Sequence, residues 1–146
     1  MSSISSSTRF VSHSVEETLE FGTRIGTCCP SGTVISLRGP LGAGKTVIAK
    51  GIALALGISE PIVSPTFTLV QEYEGNLPLH HMDLYRINSM EDFENIGGEE
   101  LLYTDGITLI EWSEKIQALL PRDTVYLTIA IMADLSRVIT LEGLQV

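Results

Sequence analysis

The run Gly39-Pro40-Leu41-Gly42-Ala43-Gly44-Lys45-Thr46 has the spacing of a phosphate-binding loop: a Gly, four free positions, then Gly-Lys-Ser/Thr. Gly42 and Gly44 let successive main-chain N–H groups turn toward one point, and a helix opening there adds its positive end. A polyphosphate in such a loop is held mostly by backbone. Lys45 would reach the β- and γ-phosphates, and the Thr46 hydroxyl would bind Mg²⁺. Two acids close candidate strands further along: Asp83 after His80-His81-Met82, and Glu111 after Ile107-Thr108-Leu109-Ile110. A carboxylate at a strand end beside a phosphate loop can complete the metal shell or orient an attacking water. Glu111 is expected to hold Mg²⁺ opposite Thr46 and Asp83 to place the water, although the sequence alone also admits the reverse. Thr66, in Ser64-Pro65-Thr66-Phe67, stands where a mobile loop would meet the γ-phosphate and its metal.

These side chains need elements to carry them. Val34-Ile35-Ser36-Leu37 reads as a short buried strand delivering the loop, and the residues through Leu56 as a helix stopped by Gly57. Before the loop, residues 9–12 suggest an edge strand. Ser14 is a candidate N-cap with Glu16 and Glu17 in the first turn, opening a helix that ends near Pro30 and whose apolar side is Val15, Leu19 and Ile25, with Thr18 and Gly22 between. Gly32 opens the next strand. Pro61 and Pro65 keep the segment after the second helix extended. Residues 67–73 and 77–85 bracket Glu74-Gly75-Asn76 as a hairpin. Its second arm would point His81, Asp83 and Tyr85 to one face and Met82 and Leu84 to the core. An acidic helix follows over 89–96, broken by Gly97-Gly98, with one more turn over 99–103. Residues 107–112 read as a buried parallel strand. Trp112 is open between a core anchor, a cover over the nucleotide and a partner contact. A short helix over 113–120 ends at Pro121, and residues 124–132 and 137–141 form two antiparallel strands around a turn at 133–136. Arg137, leaving that turn, is placed to touch the base or ribose.

Composition narrows the partners. Three lysines and six arginines against 18 acids give a net charge of −9, so the chain lacks the basic patch with which nucleic-acid binders displace counterions. Any role near RNA would run through a partner that supplies the positive charge. No apolar run approaches the ~20 residues of a membrane span, and the N-terminus has no secretory-signal layout, so a cytoplasmic protein is expected. Cys28 and Cys29 are adjacent and make no disulfide framework; reduced thiols are expected. Residues 1–8, rich in serine, read as a disordered tail, and residues 9–146 as one domain.

Taken together, Gly39 to Thr46, Ser64-Pro65-Thr66-Phe67, His81-Met82-Asp83-Leu84-Tyr85-Arg86 and Glu111-Trp112 resemble the bacterial TsaE (YjeE) family in order and spacing, over about residues 14–141. The resemblance implies an α/β fold, a P-loop NTPase with a mixed, mostly parallel central sheet flanked by helices and an added antiparallel hairpin. It implies a Mg²⁺-dependent ATPase of low basal rate, working with TsaD-like and TsaB-like subunits that install threonylcarbamoyl on the adenosine next to the anticodon of tRNAs reading A-starting codons. The tRNA would be met only through those partners. By the same resemblance, Thr46 and Glu111 match metal positions, Lys45 the phosphate lysine and Thr66 the switch threonine, while Asp83 and Trp112 match positions expected to be essential. ATP contacts are expected from Gly42, Ala43, Gly44, Lys45, Thr46 and Val47, with Ser14 and Arg137 at the edges.

Rival readings are a small P-loop kinase acting on a small molecule, a GTP-operated switch, and an adaptor whose site has decayed. The kinase needs an acceptor pocket and an arginine-bearing lid, for which few residues remain after Glu111. No Asn-Lys-x-Asp guanine-reading box occurs, and the lysine, threonine and both acids of a working site are all present.

Overall fold

In a computed structural model of the chain, residues 7–66 and 68–146 are described. The expected tail therefore lies outside the described residues over 1–6, as does Phe67. Ser7 and Thr8 do not belong to a tail: strand β1 runs Ser7–Ser12, because their backbone continues the antiparallel ladder against Leu141 and Glu142 whatever the side chains.

Helix α1 (Val15–Cys28) starts as its residues dictate. The Ser14 hydroxyl accepts from the Glu17 N–H at 3.1 Å, and the Glu17 carboxylate accepts in return from the His13 N–H at 2.8 Å, a reciprocal cap. Its buried face keeps the expected Thr18, Gly22 and Ile25 but is rotated away from Val15. Thr18, Phe21, Gly22, Ile25 and Gly26 face inward, while Val15 is 65% exposed. The glycines decide this, because α1 lies directly on the backbone of α2 (Lys45–Ala55), and only a side without bulk permits that approach.

Strand β2 (Val34–Arg38) is the centre of the sheet. Its apolar residues go to both faces, Ile35 and Leu37 toward α1 and α2, Val34 toward the opposite layer. The other strands are β3 (Val70–Tyr73), β4 (Leu79–Asp83), β5 (Ile107–Glu111), β6 (Val125–Ile131) and β7 (Arg137–Glu142). They form one sheet of seven in the order β1-β7-β6-β2-β5-β4-β3. The inner four, β6, β2, β5 and β4, are mutually parallel, and antiparallel partners close both sides. The second face is covered by α3 (Met90–Asn95), α4 (Gly98–Leu101) and the segment Ser113–Leu119, around Met82, Leu84, Phe93, Ile110 and Ile116.

Three local expectations change. The hairpin arms are shorter than 67–73 and 77–85. Since β4 stops at Asp83, Tyr85 does not continue its alternation; its N–H instead donates to Asp83 Oδ1 at 3.0 Å in a tight turn. The segment Ser113–Leu119 is a 3₁₀ helix, interrupted at Ile116 (φ −126°), with its turns too short to settle into α geometry before Pro121. Among the described residues, no helix is long and apolar enough to cross a membrane.

Candidate active site

Parallel register brings the acids together. Leu37 of β2 pairs with Glu111 of β5, which pairs with Asp83 of β4, so both carboxylates stand at carboxyl ends of adjacent strands. That edge of an α/β sheet is where ligands bind, and β2 leads into the phosphate loop there. Gly44 closes the loop with φ 112°, a left-handed conformation that a side chain would strain, and α2 begins immediately after it. Lys45 Nζ then lies 3.3 Å from Glu111 Oε1. Thr46 follows on the exposed first turn of α2.

Glu111 is gripped from two sides. His81, on β4 and 1% exposed, places Nε2 at 2.9 Å from Glu111 Oε2, opposite the side taken by Lys45. Burial by itself would raise the Glu111 carboxyl, but the His81 hydrogen bond and the Lys45 ammonium outweigh it, leaving its pKa below the usual 4.5. Glu111 is therefore an ionised carboxylate at neutral pH, with a cation at hand. Asp83, also buried, accepts from Tyr85 and receives support through its own N–H, which donates to Leu69 O at 2.9 Å.

The remaining candidates are distributed as follows. Gly42, Ala43, Gly44, Val47, Ser14 and Arg137 border one cleft of about 290 Å³ beside the loop. Arg137 is already engaged: Nε donates to Ala43 O at 3.1 Å, Nη2 to Gly42 O at 3.3 Å and Nη1 to Leu135 O. Its guanidinium braces the outside of the phosphate loop, a role that spacing alone did not indicate. The Ser14 hydroxyl is occupied as the α1 cap. Thr66 is exposed, and its hydroxyl pairs with Ser64 Oγ at 2.8 Å.

Trp112 is not a core anchor. Its backbone is left-handed (φ 62°), which turns the ring out of the sheet, leaving it 42% exposed and against Tyr85 at 4.9 Å between ring centres. Lys115 ties this corner down, donating to Tyr85 O and, at 2.8 Å, to Ile87 O. Sequence reasoning missed Lys115. The only signal available was its position in the first turn after the strand, which many solvated lysines share.

The family described as "Threonylcarbamoyl adenosine biosynthesis protein TsaE" matches residues 12–139, a span that holds every side chain named above. The chain belongs to the TsaE family. A curated TsaE relative, the tRNA threonylcarbamoyladenosine biosynthesis protein TsaE of Treponema pallidum (strain Nichols), is 48% identical over 132 residues, covering 90% of this chain and 98% of that one. The protein of the same name from Bacillus subtilis (strain 168) is 40% identical over 126 residues, 86% of this chain and 78% of that one. The crystal structure of Bacillus subtilis YdiB superposes with a TM-score of 0.80 at 31% identity, over 99% of this chain and 90% of that chain. With the four-strand parallel centre, this likeness bears out the phosphate-loop NTPase fold expected of a TsaE chain.

Proposed function

We propose that the chain is the Mg²⁺-dependent ATPase of threonylcarbamoyladenosine synthesis, splitting ATP to ADP and phosphate to drive turnover of TsaB-like and TsaD-like transferase subunits. The observation that carries this reading is the meeting of Lys45, from the start of α2, with an ionised Glu111 next to Asp83 on the neighbouring strand end. A net charge of −9 agrees with tRNA being held by the partners and not by this chain.

The donor set suits magnesium of the kind that bridges phosphates. Among the described residues, no group of three or more His, Cys, Asp or Glu could cage a metal alone. Phosphate-bound Mg²⁺ requires no such cage, taking one or two protein oxygens and leaving the rest to phosphates and water. Thr46 and Glu111 would supply those oxygens, both hard donors, and the low pKa of Glu111 keeps its oxygens available. Bound there, the ion would neutralise charge building on the β- and γ-phosphate oxygens.

The chain's own groups do the remainder. The loop amides from Gly42 to Thr46 bind phosphate oxygens, and the Lys45 ammonium swings from Glu111 to the phosphates as they arrive. Asp83, held by the Tyr85 N–H, orients the water for in-line attack. Thr66 would close on the γ-phosphate from its loop, and Arg137 keeps the cradle's outer carbonyls fixed. Trp112 and Tyr85 form an exposed aromatic rim that would meet the nucleotide or a partner. Taking a proton from the attacking water as general base is worth about 10²–10⁴ in rate. Asp83→Ala should therefore bind ATP like the wild type yet lose hydrolysis in the complex reconstituted with TsaB-like and TsaD-like subunits and tRNA. Wild-type turnover by that variant would remove Asp83 from the chemistry.

A further inference from the structure

Among the charged and polar groups at the strand ends, His81 has no part in the scheme above, yet it is buried and aimed at the centre of the site. It precedes Asp83 by two positions on the same face of β4, and it reaches across to Glu111 of the adjoining strand. We propose that His81 is a positioning residue: its Nε2–H donates to Glu111 Oε2 and holds that carboxylate in place once Lys45 has left it for the phosphates. The inference rests on the reading of Glu111 as the magnesium-holding acid.

Geometry fixes which ring nitrogen carries the proton. Nε2 faces a carboxylate oxygen at 2.9 Å, so a lone pair there would be repelled and an N–H attracted. Nδ1 is buried without a hydrogen-bond partner among the described residues. A proton on Nδ1 would leave an orphaned buried donor, a rarer and more costly condition than an unpaired acceptor. Nε2 is thus the nitrogen that carries the bridging proton, and it donates to the carboxylate.

The need for that donor follows from the two partners of Glu111. Oε1 faces Lys45 at 3.3 Å and Oε2 faces His81. Only the first contact must break when a triphosphate draws the ammonium away. A carboxylate then left with no fixed neighbour would rotate about its terminal torsion, which has a broad profile. His81 is rigidly set in β4 between Gln71 and Leu109, so it holds Oε2 and leaves Oε1 directed toward the loop. Outer partners of this kind govern metal affinity by about 10–100-fold.

The test titrates Mg²⁺ against binding of a fluorescent ATP analogue, with thermal unfolding of every variant recorded. His81→Met fills a similar volume without a donor; in His81→Gln an amide N–H can take over from Nε2. The methionine variant should need at least about tenfold more Mg²⁺ for half-saturation while binding the analogue in EDTA as the wild type does. Glutamine should restore most of the loss. Equal magnesium dependence of wild type and His81→Met overturns the proposal, as does equal impairment by methionine and glutamine, which would mean packing alone. Should His81→Met not fold, ¹⁵N spectra of the wild-type imidazole decide: an Nε2-protonated ring that persists with magnesium nucleotide supports the role, and an Nδ1-protonated ring overturns it. Glu111→Gln separates the two layers. Loss of magnesium dependence there, beside an unaffected His81→Met, defeats this inference alone. Wild-type binding indifferent to magnesium defeats the reading of Glu111 and the inference with it.

Discussion

Alanine at Gly51 is expected to destabilise the protein, although alanine in a helix interior ordinarily stabilises relative to glycine by about 1 kcal/mol. A Cβ built on Gly51 would lie 2.4 Å from Leu19 O and 2.8 Å from both Gly22 Cα and Thr23 N. All three are backbone atoms of α1, which no rotamer change can move aside. Ordinary contact begins near 3.4 Å, so the helices must separate by 3.4 − 2.4 = 1.0 Å at their crossing. Overpacking of this sort costs about 1–3 kcal/mol, and the rigid opponent puts Gly51 at the upper end. Setting about 1 kcal/mol of propensity against it leaves a net loss of about 2 kcal/mol. Since α2 also carries Lys45 and Thr46, a shift of its axis should weaken magnesium–ATP binding. Urea unfolding of Gly51→Ala beside Lys50→Ala, at an exposed site of the same helix, measures the difference. A Gly51→Ala midpoint at or above wild type would refute the backbone-to-backbone crossing, for that is what propensity alone predicts.

Acid should weaken the site through Glu111. Its folded pKa lies below the usual 4.5, so its contribution to stability is complete above that value and disappears as pH falls below 4.5 through the folded pKa. Unfolding midpoints of Glu111→Gln should accordingly vary less between pH 5 and the acid limit than those of wild type; identical slopes would contradict the assignment. The two thiols should differ in reactivity, because burial, with Cys28 alongside, pushes Cys29 up to about 12 while Cys28 is exposed. Alkylation at pH 8 followed by peptide mapping should mark Cys28 first and Cys29 only after unfolding, and equal labelling would argue against it. Lys115→Met should free the turn after Asp83 at a stability cost of only about 1 kcal/mol, given the lysine's exposure. Amide exchange should rise at Tyr85 and Ile87 without a matching global change; unaltered exchange would show that Lys115 is no clamp.

The phosphate loop and the caps are readable along the chain because each is made of neighbours. Gly44 with its left-handed turn, Lys45 and Thr46 are consecutive, and Ser14 caps through Glu17, three residues on. Alternation in β4 likewise separates Met82 and Leu84 from His81 and Asp83, and the structure keeps that division. Periodicity was less able to choose the buried side of α1. It placed Thr18, Gly22 and Ile25 on that side correctly, but added Val15 and left out Phe21 and Gly26, because a helix pattern does not reveal its neighbour's shape.

By itself, then, the sequence determined the local pieces: a glycine loop entering a helix, strands that end in acids, and a net charge of −9. Only the tertiary structure decided that Glu111 lies between Lys45 and His81, that Arg137 braces the loop and that Trp112 faces outward. The reason is separation along the chain. Those partners are brought together by the register of β4, β5, β2, β6 and β7 and by a left-handed turn after β5, and such pairing depends on how whole elements pack, which neighbouring residues do not encode.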